Sequence, residues 1–394
     1  MLCRIIPYSV KKGERLMKSV LAAILTVLLL IHLPQGVLAL DVSAQFACVI
    51  DAQTGQILYN KNAEKRHSMA STTKIMTALV ALEKTGENEL VTVSANAAGT
   101  EGSSIYLKAG ETLPMSDLLY GLMLSSGNDA AIAIAEHVAG SVESFAAMMT
   151  KRAREIGAKN TAFQNPNGLD EEGHYTTAYD LALITREALN HPRFAEIVST
   201  KRKNIPASEN SVARSFYNHN KLLSLYPGCI GVKTGFTKKT GRCLVSAAQK
   251  NHVTLICVTL NAPNDWNDHT VLLNHGFEKT EARPLIVKDM VMKSLPVRNG
   301  SSKSLDLLAE EDFYVTNNEA EGLSGFKIDY HLPSHVPAPV SEGVPIGRLQ
   351  VSYKGKILKK MNLIAGANID FVPPPAPTFI TNFIKITKYF LNFQ

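Results

Sequence analysis

The sequence predicts an α+β protein in which helices pack on a mainly antiparallel sheet, followed by a small all-β domain and a C-terminal amphipathic helix. Two short strand-like segments in residues 41–60 come first, separated by the turn-rich stretch 51–55. Helical periodicity then dominates residues 71–184, and three strand-like segments with short polar turns follow at 230–236, 242–248 and 253–260. Strands joined by short turns pair antiparallel, so the intervening helices have to cover that sheet.

Each predicted helix carries a boundary signal. Ser71 opens the first helix, which ends before Gly86, and Thr177 with Asp180 forms a capping-box-like start for the last. The helices between them are predicted at 115–121, 129–139 and 141–157. Past residue 280 only strand-sized segments remain, at 285–288, 313–316, 347–353 and 356–361. These short strands predict a separate β domain.

Composition excludes several classes of protein. The 394 residues are 45% hydrophobic, 19% charged and 7% aromatic, which is typical of a globular protein and not of a disordered chain, a collagen or a coiled coil. The net charge is +6, but residues 1–39 hold five basic residues and one acidic residue, so +2 remains for the rest. That remainder is too small to indicate nucleic-acid binding.

Residues 1–39 have the pattern of an export signal. A basic region precedes the apolar run 20–31, and the small-residue site Val37-Leu38-Ala39 follows. The run is shorter than the ~20 apolar residues that a transmembrane helix needs. We therefore expect cleavage and export, with an uncleaved anchor as the alternative.

The cysteines predict buried thiols in an exported protein. Removal of the signal leaves Cys48, Cys229, Cys243 and Cys257, which permit two disulfides in three pairings. Each lies in an apolar, strand-like run, where a free cysteine behaves as a small hydrophobic residue. Neither a CxxC nor an HExxH motif is present, so we expect no metal site and no cofactor.

The domain boundaries follow from these patterns. We expect a signal peptide at 1–39, a main α+β domain at 40–279, a small β-sandwich-like domain at 282–371, a proline-rich spacer at 372–377 and an amphipathic helix at 378–394.

The last helix is predicted to lie in a membrane surface. On a helical wheel its apolar side holds Phe379, Phe383, Ile386, Phe390 and Phe393. Two lysines, at 385 and 388, occupy the opposite side and argue against crossing a bilayer. Docking onto the protein's own core is the alternative.

Three short motifs carry the candidate chemistry. In Ser71-Thr72-Thr73-Lys74, positions i and i+3 share a helix face, so the lysine amine can reach the serine hydroxyl. Apolar surroundings lower the pKa of a lysine toward the neutral form that acts as a base. Ser126-Gly127-Asn128 interrupts two helical stretches, and Lys233-Thr234-Gly235 follows a strand, so both can present side chains to a cleft.

With these motifs the chain resembles the low-molecular-mass penicillin-binding proteins that act as serine-type D-alanyl-D-alanine carboxypeptidases, the peptidase S11 family. The resemblance is strong over 41–278. It rests on the stretches 69–77, 118–131, 165–169, 173–180 and 231–237. It implies the transpeptidase fold shared by penicillin-binding proteins and β-lactamases.

The resemblance also implies a role for each motif residue. Ser71 would attack the carbonyl between two terminal D-alanines, Lys74 would take its proton, and Ser126 would relay that proton to the leaving amine. The implied substrate-binding residues are Asn128, Lys233, Thr234, Gly235 and Phe236. Among these, Lys233 and Thr234 would bind the terminal carboxylate, and the backbone amides of Ser71 and Phe236 would form the oxyanion hole. His174 is expected to pack within its loop, because nothing in the sequence places it near Ser71.

The partners and location follow from the same resemblance. The substrate would be a peptidoglycan pentapeptide ending in D-Ala-D-Ala, and β-lactams would be covalent inhibitors, since no Glu-x-x-x-Asn stands between residues 128 and 233 to deacylate them. The enzyme would lie on the outer face of the cytoplasmic membrane, bound peripherally through its tail. A non-catalytic wall or β-lactam receptor on the same scaffold, or a D,D-endopeptidase, remains the alternative.

Overall fold

The computed structural model describes residues 40–318, 323, 325–374 and 379–391. The predicted export signal, positions 375–377 of the predicted spacer and Phe393 of the predicted tail lie outside these residues.

Nine strands belong to the part of the chain up to residue 260. They are β1 (Phe46–Asp51), β2 (Ile57–Lys61), β3 (Leu90–Thr92), β4 (Thr112–Pro114), β5 (Arg202–Ile205), β6 (Arg214–Tyr217), β7 (Cys229–Thr237), β8 (Gly241–Lys250) and β9 (Val253–Leu260). Five form one sheet in the order β2-β1-β9-β8-β7, and every neighbouring pair is antiparallel. The predicted antiparallel sheet is therefore confirmed, with β7 at one edge.

The helices connect and cover this sheet. They are α1 (Lys74–Lys84), α2 (Ala95–Ala98), α3 (Met115–Leu124), α4 (Asn128–Ala139), α5 (Val142–Ile156), α6 (Ala178–Leu189), α7 (Pro192–Ser199), α8 (Leu222–Leu225) and α9 (Asp265–Glu278). Both α6 and α9 pack against β9, and β1 is buried along its whole length. Burial of the sheet is the reason that β1 and β9 read as continuous apolar runs.

Several helix ends carry the predicted signals, but Ser71 does not cap α1, which begins at Lys74 and has no side-chain cap. Ser141 accepts a hydrogen bond from Ser144 N at the start of α5, and Gly157 ends that helix with φ +100°. Thr177 likewise accepts from Asp180 N at the start of α6. The Asp180 carboxylate does not return to the cap, since it accepts from Asn160 N at 2.6 Å and Thr161 Oγ1 at 2.8 Å. The predicted capping box is thus half formed.

The sequence analysis missed α9 because the buried face of this helix is partly polar. Asp265, Asp268 and His269 are all buried, which obscures the apolar periodicity of a core-facing helix. Each has a polar partner: Asp268 Oδ2 accepts from Ser43 Oγ at 2.7 Å, and His269 lies within 3.0 Å of two hydroxyls. Buried polar groups are tolerated where they are paired in this way.

The C-terminal part of the chain forms an all-β domain. Its strands are β10 (Thr280–Ile286), β11 (Val291–Arg298), β12 (Ser304–Ala309), β13 (Phe313–Asn318), β14 (Phe326–His331), β15 (Val336–Pro337), β16 (Pro345–Tyr353) and β17 (Lys356–Ala365). Six of them form one sheet in the order β14-β16-β17-β12-β11-β15, and β10 pairs with β13. The domain encloses its own apolar core, which includes Leu307, Leu349 and Leu363.

The final helix, α10 (Phe379–Leu391), presents apolar side chains to the outside. Phe383, Ile386 and Leu391 are all more than half exposed. Within the described part of the chain, no helix combines the length and the apolar character needed to cross a bilayer.

The four cysteines of the described residues are free thiols, and three of them are buried as predicted. Cys48, Cys243 and Cys257 lie in the sheet, whereas Cys229 at the start of β7 is only half-buried. Burial raises the pKa of both Cys48 and Cys243 to about 12. These thiols therefore remain protonated at neutral pH. In the described residues no three histidines, cysteines or acidic residues group closely enough to hold a metal ion.

Candidate active site

A short 3-10 turn places Ser71 at the entry to the first helix. The turn spans Ala70–Thr73, and α1 continues directly from Lys74. Ala70 is buried and has φ +48°, a left-handed conformation that is uncommon for residues other than glycine. Strain of this kind is held by surrounding contacts and is frequent at functional sites.

The contacts of Lys74 would suit a base directed at Ser71. Its Nζ lies 3.0 Å from Ser71 Oγ, 2.7 Å from Asn128 Oδ1 and 2.6 Å from the carbonyl oxygen of Asn167. The side-chain amide of Asn128 is oriented by donation from its Nδ2 to the Glu101 carbonyl oxygen at 2.7 Å. A neutral amine has two N–H groups and one lone pair. Because both carbonyl oxygens can only accept, they take the two N–H groups and leave the lone pair for the Ser71 hydroxyl.

Electrostatics favour this neutral form. Lys74 is fully buried, and desolvation with the nearby positive charge of Lys233 holds its pKa well below the usual 10.5, although Asp129 opposes the shift. Burial also lowers the pKa of Lys233 to about 7. Two buried amines that are easily deprotonated therefore stand at one site.

The edge strand β7 lies directly against the turn that carries Ser71. A Cβ atom at Gly235 would lie 3.1 Å from both Ser71 N and Thr72 N, so a side chain at this position would press on the backbone of the turn. Lys233 is buried, and its Nζ donates to the carbonyl oxygen of Thr234 at 2.9 Å.

The predicted residues meet at one cleft of about 310 Å³. Its lining includes Ser71, Ser126, Thr234, Gly235 and Phe236. Ser126 has φ +63° in the turn between α3 and α4, which presents its side chain to the cleft. Lys74, Asn128 and Lys233 are buried behind these lining residues.

Several residues of the site escaped the sequence analysis. Ser103, His219, Arg242, Asp265 and Trp266 also line the cleft. Trp266 is the only tryptophan of the chain, which is a signal that could have drawn attention to it. The contact of Asn167 with Lys74 could not be predicted from residue type, because it is made by the backbone carbonyl oxygen that every residue has.

His174 is buried in its loop as predicted, but the reason given for that prediction is wrong. Its Nε2 lies 2.8 Å from Thr73 Oγ1, within the Ser71–Lys74 motif itself. The loop at 165–174 thus packs on the turn that carries the serine.

Comparison with known proteins agrees with this geometry. The family model for D-alanyl-D-alanine carboxypeptidase, peptidase S11, matches residues 34–264. The chain is 34% identical to D-alanyl-D-alanine carboxypeptidase DacF of Bacillus subtilis over 82% of its own length and 85% of that protein. The chain belongs to the D-alanyl-D-alanine carboxypeptidase family. It is also 34% identical to DacC of Escherichia coli over 85% of its own length and 86% of that relative.

The remaining matches extend the likeness to the C-terminal domain. The family model for the C-terminal domain of penicillin-binding protein 5 matches residues 281–370. The crystal structure of penicillin-binding protein 5 from Haemophilus influenzae is 29% identical, with a TM-score of 0.59 over 85% of this chain and all of that one. This carboxypeptidase family member is therefore a serine-type hydrolase with the transpeptidase fold of penicillin-binding proteins.

Proposed function

We propose that this enzyme removes the terminal D-alanine from peptidoglycan pentapeptide stems through an acyl-enzyme on Ser71. The contacts of Lys74 are the observation that carries the proposal. Two carbonyl oxygens occupy its N–H groups, and its lone pair faces the Ser71 hydroxyl at 3.0 Å.

The reaction then proceeds in two halves. Ser71 Oγ attacks the carbonyl carbon between the two D-alanines while Lys74 takes its proton. As the C–N bond breaks, Ser126 relays that proton to the leaving amine, and D-alanine departs. Water next attacks the ester, the Ser71 oxygen recovers a proton, and the shortened peptide is released.

Backbone donors stabilise the charge that develops on the carbonyl oxygen. In our proposal the amides of Ser71 and Phe236 form the oxyanion hole, and removal of one such donor costs about 3 kcal/mol in comparable enzymes. The close approach of Gly235 to Ser71 N supports this assignment.

Lys233 and Thr234 would select a free C-terminus, and Asn128 would hold the substrate amide. A carboxylate that binds beside Lys233 favours its charged form, because an opposite charge offsets the burial that lowers its pKa to about 7. The charge on Lys233 in turn keeps Lys74 neutral. Substrate binding would thus prepare the base.

The same chemistry makes β-lactams covalent inhibitors. Glu171, one of the two glutamates after the 165–169 loop, is exposed and accepts a hydrogen bond from Asn165 Nδ2 at 2.9 Å. It is therefore engaged outside the cleft lining, and we expect a penicilloyl-serine to persist.

We also infer that the protein is exported and held peripherally at the outer face of the cytoplasmic membrane. The sequence of residues 1–39 and the exposed apolar side chains of α10 support this location. In this proposal the catalytic domain is 40–279, and the β domain at 282–371 holds it away from the lipid surface.

D-alanine release from a peptide ending in D-Ala-D-Ala tests the proposed reaction. We expect release by the wild-type chain and none by S71A, because the variant lacks the attacking oxygen. S208A is the control, since Ser208 is exposed and is not among the residues that line the cleft.

Two results would contradict the proposal. Release by both wild type and S71A would mean that another residue attacks. No release by folded wild type that is still labelled by penicillin at Ser71 would favour a receptor or an endopeptidase.

A further inference from the structure

We propose that His174 is a positioning residue that sets the direction of the Ser71 N–H, one of the two oxyanion-hole donors. The inference rests on the proposed acyl-enzyme mechanism and adds a residue outside the cleft to it. Hydrogen bonds behind Ser71, together with one peptide plane, connect the imidazole to this amide in three steps.

The first step is the tautomer of His174. Gln164 N donates to Nδ1 at 3.1 Å, and a backbone N–H can only donate. Nδ1 of the neutral ring is therefore the acceptor, and Nε2 carries the hydrogen. Burial lowers the pKa of His174 to about 4, so the ring is neutral at physiological pH. An edge-on contact with Phe163, with ring centres 5.8 Å apart, supports the plane of the imidazole.

The second step passes through Thr73. Nε2–H donates to Thr73 Oγ1 at 2.8 Å, and the Thr73 hydroxyl donates in turn to the carbonyl oxygen of Ala70 at 2.8 Å. Because the imidazole supplies the donor, the hydroxyl hydrogen is directed at Ala70. Without His174 that hydroxyl would be free to rotate toward another acceptor.

The third step is the planarity of the peptide bond. In a trans peptide the C=O of Ala70 and the N–H of Ser71 point in opposite directions within one plane. The carbonyl is directed toward Thr73 and Gly168, since a Cβ atom at Gly168 would lie 2.0 Å from it. The Ser71 N–H therefore points to the other side, where Gly235 of β7 lies. Phe236, the second proposed donor, is the next residue.

This anchoring matters because Ala70 is strained. A left-handed φ of +48° is costly for a residue that has a Cβ atom, so surrounding contacts have to hold the turn in place. The relay from His174 acts on the carbonyl oxygen, the atom whose direction fixes that of the amide.

A peptidyl boronic acid tests the role directly. Ser71 Oγ forms a bond to boron while its proton passes to Lys74, and the tetrahedral adduct places an oxygen in the oxyanion hole. We expect both the boronate affinity and the kcat/KM of H174L to fall by about 10- to 100-fold. A Ser71 N–H that points in the wrong direction can lose as much oxyanion stabilisation as an N–H that has been removed. H174Q, which keeps a donor at the end of its side chain, should recover most of both.

A second buried histidine provides the control for a merely structural effect. His269 is fully buried and lies between the Ser246 and Thr259 hydroxyls, neither of which belongs to the Ser71 turn. H269L should lower the Tm as H174L does while boronate affinity stays within about twofold of wild type. Equal affinities for H174L and H269L, at similar Tm, would overturn the proposal.

Two further comparisons keep the result decisive. If H174L does not fold, T73V removes the relay without touching the imidazole, and T73S retains it. T73V must then lose boronate affinity and kcat/KM, whereas T73S must keep both. Equal values for the two variants would contradict the inference. Wild type that releases no D-alanine would overturn the proposed function itself, whereas active wild type with an unaffected H174L overturns only the role of His174.

Discussion

Two lysines of this enzyme, Lys74 and Lys233, are buried, and in the described residues neither amine has a carboxylate as a hydrogen-bond partner. Burial of a charged amine is costly, so the folded chain favours the neutral form of each. Their hydrogen bonds go to carbonyl oxygens and, for Lys74, the hydroxyl of Ser71. These buried amines therefore lower the free energy of unfolding near neutral pH, and the neutral form of Lys74 can serve as the proposed base.

Replacement of Lys233 by methionine should reveal that cost. The pKa of Lys233 is about 7 in the folded chain and 10.5 when unperturbed, so between these values the unfolded chain binds a proton that the folded chain does not. Wild-type stability consequently rises with pH across this window. K233M lacks this dependence, so its free energy of unfolding relative to wild type should fall by about 3 kcal/mol between about pH 7.5 and about pH 9.5.

Urea unfolding at the two pH values measures the difference. K239M is the matched control, because Lys239 is exposed and stands in another Lys-Thr-Gly triplet. A K233M curve that parallels wild type at both pH values would show that Lys233 is charged in the folded protein.

The edge strand β7 owes its position to a local irregularity. Its register with β8 shifts between Cys229 and Gly231, and Gly231 and Val232 have φ +100° and +121°. A Cβ atom at Gly231 would lie 2.0 Å from the carbonyl oxygen of Val198 at the end of α7. Helix α7 and strand β7 can pack this closely because residue 231 has no side chain, and the strand then delivers Lys233 and Gly235 to the serine turn.

Alanine at position 231 should therefore damage both stability and activity. The new methyl group collides with backbone, and alanine disfavours the left-handed φ, so we expect a loss of about 2 kcal/mol or more in stability. The rate of acylation by penicillin should fall as β7 moves from Ser71. G86A is the control, since a Cβ atom there meets nothing within 4 Å. A G231A protein as stable and as fast as G86A would contradict this account of β7.

The β domain attaches at the end of the sheet that is remote from the cleft. Gln53, in the turn between β1 and β2, donates to the carbonyl oxygen of Tyr314 at 2.9 Å and accepts from Thr316 N at 2.8 Å. His252, between β8 and β9, stacks on Tyr314 with ring centres 3.9 Å apart. The cleft residue Gly235 pairs with Cys243, near the start of β8. Lys250, at the end of β8 next to the His252 turn, lies about 24 Å further along the strand. This arrangement suits the proposed role of the β domain, which is to separate the catalytic cleft from a lipid surface.

A chain ended after Pro373 tests that placement. Without α10 the protein should move from the membrane fraction to the soluble fraction, while D-alanine release from small peptides survives, because none of the described residues of α10 lines the cleft. A full-length F383E/I386E variant, with charges on exposed apolar positions, should behave likewise. Membrane association that persists in both would point to an uncleaved signal or another lipid-binding surface.

Local pattern was sufficient to predict the antiparallel sheet, most of its covering helices and the three motifs of the cleft. Helices such as α5 have periodic apolar faces with Ser141 and Gly157 at their ends, and such signals depend on neighbouring residues alone. The serine and lysine of the first motif are likewise three residues apart, so their contact follows from helix geometry.

The environment that makes this motif reactive could not be predicted locally. Lys74 meets Asn128 and the Asn167 carbonyl oxygen across 54 and 93 residues of sequence, and Thr73 meets His174 across 101. A backbone carbonyl has no residue signature, and burial of an amine depends on everything packed around it. The proposed nucleophile and the proposed base thus stand in one four-residue segment, whereas the low pKa of Lys74 and the direction of the Ser71 amide arise from packing between distant segments.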